Sequence, residues 1–244
     1  MKCGLLTVAL GALVVGLCTT VGADSLAFHF HVSAEGGSGT VMPDVFRAVG
    51  SQTPGVLEGY DLADLLKPPG PPKGDYIQAK TVDAGRDLIG DYRPYDPNTS
   101  NLNFPIELSA HGDDGTGLDG TVHLTLTNPD QLDDLPGDMM VYLKRYDSSG
   151  IFAGKYDLRE SSNNSIQWSV QAAQGHFATV NFVLVNKCVA SDLDESGLVN
   201  VGDLSKLANS WNRDGTEGDI DGNDEVNFAD LIFMADYWLC DCDK

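Results

Sequence analysis

The stretch Asp192-Leu-Asp-Glu-Ser-Gly-Leu-Val-Asn-Val-Gly-Asp203 recurs as Asp219-Ile-Asp-Gly-Asn-Asp-Glu-Val-Asn-Phe-Ala-Asp230 and decides how the C-terminal part of the chain folds. The two copies are 27 residues apart, and the same offset relates the apolar residues that follow each copy. Self-similarity at a fixed period is typical of a duplicated structural unit. We therefore expect two copies of one loop, each followed by one helix.

Each copy carries oxygen-bearing groups at the spacing that wraps a hard cation. Calcium takes about six to eight oxygen ligands, supplied in such loops by positions 1, 3, 5, 7, 9 and 12, with a backbone carbonyl at position 7. The first loop offers Asp192, Asp194, Ser196, the carbonyl of Leu198, Asn200 and Asp203; the second offers Asp219, Asp221, Asn223, the carbonyl of Glu225, Asn227 and Asp230. The sequence therefore predicts two bound calcium ions.

The turn inside each loop makes a further demand on the backbone. Position 6 needs a positive φ, which Gly197 adopts without steric cost and which Asp224 tolerates less readily. Val199 and Val226, at position 8 of each loop, are expected to pair with each other as a small β-bridge between the loops.

Apolar residues follow each loop at helical spacing and predict two short amphipathic helices. No helix is expected before either loop. The stripes expected to meet in a small shared core are Leu204, Leu207, Ala208 and Trp211 with Leu231, Met234, Ala235 and Trp238.

The duplicated order of loop then helix, with aspartate closing both loops, resembles a type I dockerin over about residues 190–239. Dockerins attach secreted proteins, often polysaccharide-degrading enzymes, to cohesin modules on a scaffold or cell surface. The recognition positions of that family fall here on Val201, Gly202, Phe228 and Ala229. Cellulosomal dockerins often have Ser-Thr there, so the resemblance implies either a divergent cohesin partner or a calcium-dependent stability cap without a cohesin.

The charge of the chain is strongly acidic, with a formal net charge of -21. Residues 189–244 hold 14 of the 36 acidic side chains and only 3 of the 15 basic ones. Nucleic acids and anionic membranes need Lys and Arg to displace counterions, so this composition argues against both as partners and favours cations.

The N-terminus has the pattern of a secretory signal peptide over residues 1–23, with an apolar run and a small-residue ending. No later apolar stretch is long enough to span a bilayer. Export to an oxidising compartment leaves Cys188, Cys240 and Cys242, which flank the repeat. If the repeats pack antiparallel, Cys188 is expected to pair with Cys240 or with Cys242 and to close the ends of the unit.

The residues between signal and repeat predict an antiparallel β-sandwich, because short segments of alternating hydrophobicity are separated by turn residues. Thr121-Val-His-Leu-Thr-Leu-Thr127 shows the alternation most plainly. The predicted strands are 26–33, 75–82, 86–95, 102–110, 121–127, 139–146, 155–158, 165–170 and 176–185.

Three short runs in this part resemble an uncharacterised β-sandwich of secreted bacterial proteins that carry a dockerin-like tail. They are Gly59-Tyr-Asp61 with the proline-rich run at 67–74, Asp91-Tyr-Arg93, and Tyr156-Asp-Leu-Arg159. That resemblance implies no established activity.

The sandwich also has catalytic and sugar-binding alternatives. Glu107 is the candidate carboxylate of a glycoside hydrolase, but no second Glu follows at strand spacing and a solvated charge is favoured. Exposed aromatics could stack on pyranose rings, and core packing accounts for them equally well; the candidates are Tyr92, Tyr95, Tyr142, Tyr146, Tyr156 and Trp168.

The sequence thus predicts a mainly β, secreted protein in three parts: a signal peptide at 1–23, an antiparallel β-sandwich at 24–187 and a small all-α dockerin-like module at 188–244. The expected function is calcium-dependent docking of a non-catalytic sandwich onto a cohesin-bearing scaffold or cell surface. Contact with polysaccharide, as the binding or hydrolytic component of a degradative system, is the alternative.

Overall fold

A computed structural model describes residues 25–35, 43–51, 65–67, 76–83, 86–96, 101–111, 118–159, 164–172, 175–213 and 218–242. The expected signal peptide lies outside these residues. So do residues 59–61 and 68–74, which carry part of the resemblance to the secreted sandwich.

The described residues form eleven strands, followed by three short α-helices. The strands are β1 Ser25–Glu35, β2 Asp44–Ser51, β3 Leu65–Leu66, β4 Tyr76–Asp83, β5 Arg86–Pro94, β6 Asn101–His111, β7 Leu118–Leu126, β8 Met139–Asp147, β9 Phe152–Asp157, β10 Ser165–Ala172 and β11 Gly175–Asn186. The helices are α1 Lys187–Ser191, α2 Val201–Asn209 and α3 Phe228–Asp236, and a 3-10 turn occupies Pro129–Leu132.

The strands form one sheet in the order β10-β7-β1-β2-β5-β4-β6-β11-β8-β9, with β3 paired to β5. β4 belongs to both halves of the sheet, because its residues 76–80 pair with β6 and its residues 81–83 pair with β5. The sheet thereby folds over, and its two halves face each other around one core.

Phe182 of β11 marks the centre of that core. Its ring lies 4.9 Å from the ring of Phe28 and 5.1 Å from that of Phe30, both on β1 in the opposite half, measured between centroids. Phe104, from neighbouring β6, stacks at 5.9 Å. Burial of each such side chain contributes about 1.5–3 kcal/mol, so this cluster is a main source of stability.

The mainly β fold expected from the alternating pattern is confirmed. The expectation of a purely antiparallel sheet is wrong at one place, since β2 and β5 run parallel from Arg47 beside Gly90 to Ser51 beside Pro94. The β4–β5 hairpin sets the direction of β5, which then lies beside β2 in the same direction. Alternation specifies the buried face of a strand and carries no information about its direction.

Strands β2 and β3 were not predicted. In β2 the exposed Val45 precedes the buried Phe46, and Val49 and Gly50 are both buried, so the apolar residues do not alternate. Gly50 is needed there because a Cβ would lie 3.0 Å from the Cβ of Tyr95.

β11 runs directly into α1. Asn186 ends the strand, and its side-chain oxygen accepts the backbone N–H of Cys188 at 2.8 Å, which caps the helix. The sequence predicted no helix before the first loop, and α1 corrects that expectation. Its five residues are too short for a periodic pattern to reveal, and the asparagine cap is what begins it.

No helix among the residues that the structure describes is long and apolar enough to cross a membrane.

Candidate metal centre

The first loop brings three carboxylates together. One oxygen from each of Asp192, Asp194 and Asp203 lies within 4.8 Å of the others. Asp203 is fully buried, and Asp194 is exposed. The three come from the start of the loop and from the first turn of α2, so the helix and the loop together build the cluster.

The second loop repeats this arrangement with Asp219, Asp221 and Asp230, again within 4.8 Å. Asp230, at the first turn of α3, is fully buried like its counterpart Asp203. The 27-residue sequence repeat therefore corresponds to two equivalent acidic centres, each at the start of a helix.

The closing aspartates also hold the loops in shape. In the first loop Asp203 accepts the N–H of Asp194 at 2.9 Å on one oxygen and that of Asn200 at 2.7 Å on the other. In the second, Asp230 accepts the N–H of Asp221 at 3.0 Å and that of Asn227 at 2.8 Å. Each carboxylate is thus fixed by the backbone at both ends of its loop.

The asparagines at position 9 begin the helices. The side-chain oxygen of Asn200 accepts the N–H of Gly202 at 2.7 Å, and that of Asn227 accepts the N–H of Ala229 at 2.8 Å. With the closing aspartates they form two capping boxes. The side-chain oxygens of Asn200 and Asn227, which the sequence predicts as calcium ligands, are therefore already engaged in capping.

The remaining predicted ligands of the first loop bond mainly to one another. The carbonyl of Leu198 accepts from the side-chain amide of Asn200 at 2.7 Å and from the hydroxyl of Ser196 at 3.3 Å.

In the second loop the side-chain amide of Asn223 donates to Asp221 at 3.0 Å, and its oxygen accepts the N–H of Glu225 at 2.8 Å. The structure therefore brings the six aspartates to the centres and gives supporting bonds to the predicted ligand groups of Ser196, Leu198, Asn200, Asn223 and Asn227.

The left-handed turn expected at position 6 is confirmed in both loops, with φ 82° at Gly197 and 70° at Asp224. Position 4 is left-handed as well, at Glu195 (φ 57°) and Gly222 (φ 77°). Sequence reasoning missed this second demand, although the glycine at position 222 was a signal for it.

One aspartate in each centre, Asp192 in the first and Asp221 in the second, has a raised pKa. Burial raises the pKa of Asp192, and the charges of Asp203 and Asp194 raise it further, against hydrogen bonds from the loop backbone that lower it. Burial likewise raises the pKa of Asp221, followed by the charge of Asp230. A divalent cation would relieve this repulsion, because it favours the ionised form of every carboxylate around it.

The protein leaves the buried carboxylate of Asp219 only partly satisfied. Its side chain is only 4% exposed, and its Oδ1 has no hydrogen-bond partner. Leaving a buried polar atom unpaired costs about 1–3 kcal/mol, and more for a charged group. A donor set made only of oxygen, in a loop of this length, fits calcium better than a metal that prefers nitrogen or sulfur.

The two valines at position 8 do not pair with each other, contrary to the sequence expectation. Val199 N–H donates to the carbonyl of Cys240 at 3.1 Å, beyond the end of α3. Val226 N–H donates to the carbonyl of Arg213 at 3.2 Å, beyond the end of α2. Each loop is therefore paired with the chain that leaves the other repeat's helix.

The small core also differs from the predicted stripes. Leu207 and Met234 are buried, and Leu204 and Leu231 pack against them, but Ala208, Ala235 and Trp238 are exposed. The helices end at Asn209 and Asp236, before the stripes do. The space is filled instead by residues from the loops and the flanking segments: Val199, Ile220, Val226, Cys188 and Cys242.

The three cysteines form one group at the edge of this core. The Sγ of Cys188, in α1, lies within bonding distance of both Cys240 and Cys242. The alternative that the sequence left open is therefore still open in the structure, and either bond would join the segment before the first loop to the segment after α3.

The predicted contact pairs lie on the surface. Val201 is 70% exposed and Phe228 is 69% exposed, each at the first position of its helix. Ala229 is exposed as well, and Gly202 is half-buried. The ring of Phe228 meets Trp211 edge to face at 5.1 Å between centroids.

The candidate sugar-binding and catalytic groups are less accessible or less organised. Tyr95 and Tyr142 are buried, and Tyr156 and Trp168 pack against the core. Glu107 lies on the outer face of β6, between Lys80 of β4 and Thr179 of β11. These neighbours fit a solvated strand charge better than one half of a pair of catalytic carboxylates.

Comparison of the chain with protein-family models, with curated proteins and with solved structures finds no match in any of the three. Function is therefore inferred from the geometry of the two acidic centres.

Proposed function

We propose that this chain is a secreted calcium-binding protein whose residues 188–244 form a dockerin-like module. The module docks a non-catalytic β domain, residues 24–187, onto a cohesin-bearing scaffold or a cell surface. The signal-peptide pattern of residues 1–23 supports secretion, and the duplicated loops support two calcium ions, one in each acidic centre.

The observation that carries the calcium part is the unpartnered Oδ1 of the buried Asp219, within 4.8 Å of oxygens from Asp221 and Asp230. Three carboxylates packed this closely repel one another, and the ammonium of Lys144 pairs with Oδ2 of Asp219 alone. Since Asp192, Asp194 and Asp203 repeat the arrangement, the proposal extends to both loops.

The docking part is supported by the surface beside the loops. Val201 and Phe228 are equivalent under the repeat, and both are largely exposed although apolar. Ile232, one turn further along α3, is 64% exposed. An exposed apolar side chain at the first position of each helix supports a protein contact beside each loop.

Calcium titration of the full chain tests the first part. Isothermal calorimetry should give two ions per chain, and Asp219→Asn should reduce this to one, because it removes a charge from one centre only. Asp236→Asn, at the exposed end of α3, is the matched control and should leave both sites intact. A chain that takes up no calcium contradicts the proposal.

Affinity capture tests the second part. The full chain, immobilised in calcium and offered its own culture supernatant, should retain a cohesin-like protein and release it in chelator. The pair Val201→Ser and Phe228→Ser should abolish capture, whereas Ile151→Ser, equally exposed on the β domain, should not. Retention of polysaccharide that is insensitive to Val201→Ser and Phe228→Ser favours the alternative.

A further inference from the structure

The second acidic loop lies against the outer face of β8 and β9. The ammonium of Lys144 donates to Oδ2 of Asp219 at 2.7 Å, and the ammonium of Lys155 donates to the backbone carbonyl of Asp221. Both lysines belong to the β domain, so the loop that is expected to hold calcium is also a point of attachment to the sheet.

The two lysines are themselves unusual neighbours. Lys144 of β8 stands directly opposite Lys155 of β9 in the antiparallel register. Like charges at directly opposite positions destabilise a strand pair. The acidic loop supplies the missing counter-charge, which explains why this pair is tolerated.

The loop is shaped for this contact. A Cβ on Gly222 would lie 2.9 Å from Cζ of Tyr142, which is closer than side chains pack, so the ring rests on the loop backbone. Tyr142 is 7% exposed, and the ammonium of Lys155 lies 4.7 Å from its ring centroid. The first loop has Glu195 where the second has Gly222, so its backbone could not accept a ring in the same way.

We propose that Lys144 is a resident cation that lowers the calcium affinity of the second loop. It thereby links calcium binding in this loop to the attachment of the loop to the sheet. The inference rests on the proposed calcium binding. Lys144 holds Oδ2 of Asp219 and leaves Oδ1 unpartnered, so an ion bound at Oδ1 shares one carboxylate with the ammonium. The two positive charges repel each other across it.

A competing effect of Lys144 would raise the calcium affinity instead of lowering it. A group that orients a metal-ligating carboxylate usually raises metal affinity, and its loss costs about 10–100-fold. Here the N–H of Asp224 also donates to Oδ2 of Asp219, at 3.0 Å, and keeps it oriented when Lys144 is removed. The repulsion therefore decides the sign of the effect, and Lys144 lowers the calcium affinity. Because the coupling is reciprocal, bound calcium must weaken the contact between Lys144 and Asp219 by the same factor.

The test follows hydrogen exchange of the full chain by mass spectrometry during a calcium titration, because peptides from the two loops report their sites separately. Lys144→Met should lower the calcium midpoint of the 219–230 peptide tenfold or more and leave that of the 192–203 peptide unchanged. Lys144→Arg keeps the charge and should keep the wild-type midpoint. An unchanged or raised midpoint in Lys144→Met, with normal binding in the first loop, overturns the inference and leaves the proposed function standing. A wild-type chain in which neither loop responds to calcium overturns both.

A second measurement needs no variant. Amine acetylation of the wild-type chain should modify Lys144 faster in calcium than in chelator, because the ion loosens its contact with Asp219. Lys80, which pairs with Asp87 at 2.9 Å and has a similarly exposed side chain, is the matched control and should not change. Equal Lys144 reactivity with and without calcium contradicts the linkage.

Discussion

The backbone N–H of Leu239 donates to the carbonyl of Val199 at 2.9 Å, and the N–H of Asn212 donates to the carbonyl of Val226 at the same distance. Each loop is thus paired with the segment that follows the other helix. The two repeats complete each other, and neither contains all the backbone partners of its own loop.

Truncation of the chain after α3 should therefore damage the first repeat. A chain that ends at Asp236 keeps every predicted ligand of the first loop but lacks the partners of Val199. We expect the first loop to lose calcium binding, seen as lost calcium-dependent protection of the 192–203 peptide in hydrogen exchange. Strong binding retained at that loop would contradict the reciprocal pairing.

Asp230→Asn should separate the capping role of this carboxylate from its proposed role as a calcium ligand. The amide nitrogen cannot accept the N–H of Asn227, so in chelator the loss of the cap should cost about 1 kcal/mol. In calcium the variant also loses a charged ligand, so its melting temperature should fall further below wild type than in chelator. Asp236→Asn should show neither effect, and an equal fall in both conditions would argue against an ion at this centre.

Peptide mapping without reductant should find Cys188 linked to Cys240 or to Cys242, with the third cysteine as a thiol. Cys188→Ser removes both possibilities, and for a separation of 52 residues the loss of unfolded-state restraint is about 4 kcal/mol. Denaturant unfolding measures this loss of stability. Cys240→Ser and Cys242→Ser, which each leave one partner for Cys188, serve as controls, and a free Cys188 thiol in the wild-type chain would refute the bridge.

Gly222→Ala should destabilise the chain by about 1–3 kcal/mol, because φ is 77° there and the new methyl group meets Tyr142. In a Tyr142→Leu background the cost should be smaller, since the ring contact is gone. Gly137→Ala is the control, because a Cβ at Gly137 meets nothing within 4 Å. Equal costs in both backgrounds, measured by urea unfolding, would contradict the contact.

Phe182→Ala should cost about 3–5 kcal/mol in urea unfolding, because it opens a cavity between Phe28, Phe30 and Phe104. Ile151→Ala, at a residue that is 64% exposed, should change stability by no more than about 0.5 kcal/mol. A small cost for Phe182→Ala would mean that the two halves of the sheet are not packed around this ring.

The sequence was most informative where one physical demand acts on one residue. Alternation predicted strands such as β6 because Leu102, Phe104 and Ile106 must all face the core. The positive φ at Gly197 and Asp224 followed from the loop pattern in the same way.

It was least informative where two distant segments must meet. The parallel pairing of β2 with β5 leaves no trace in alternation, and the swapped partners of Val199 and Val226 depend on where both helices end. Lys144 and Lys155 read as ordinary outward strand residues until their register places them opposite each other beneath the second loop.

The junction at Asn186 has a mechanical consequence. No flexible tether separates β11 from α1, because the strand's last residue is also the helix cap. β11 is hydrogen-bonded along its length to β6 on one side and to β8 on the other. A pull applied through the helices would therefore load an interior strand along its axis, where its two ladders of hydrogen bonds share the force.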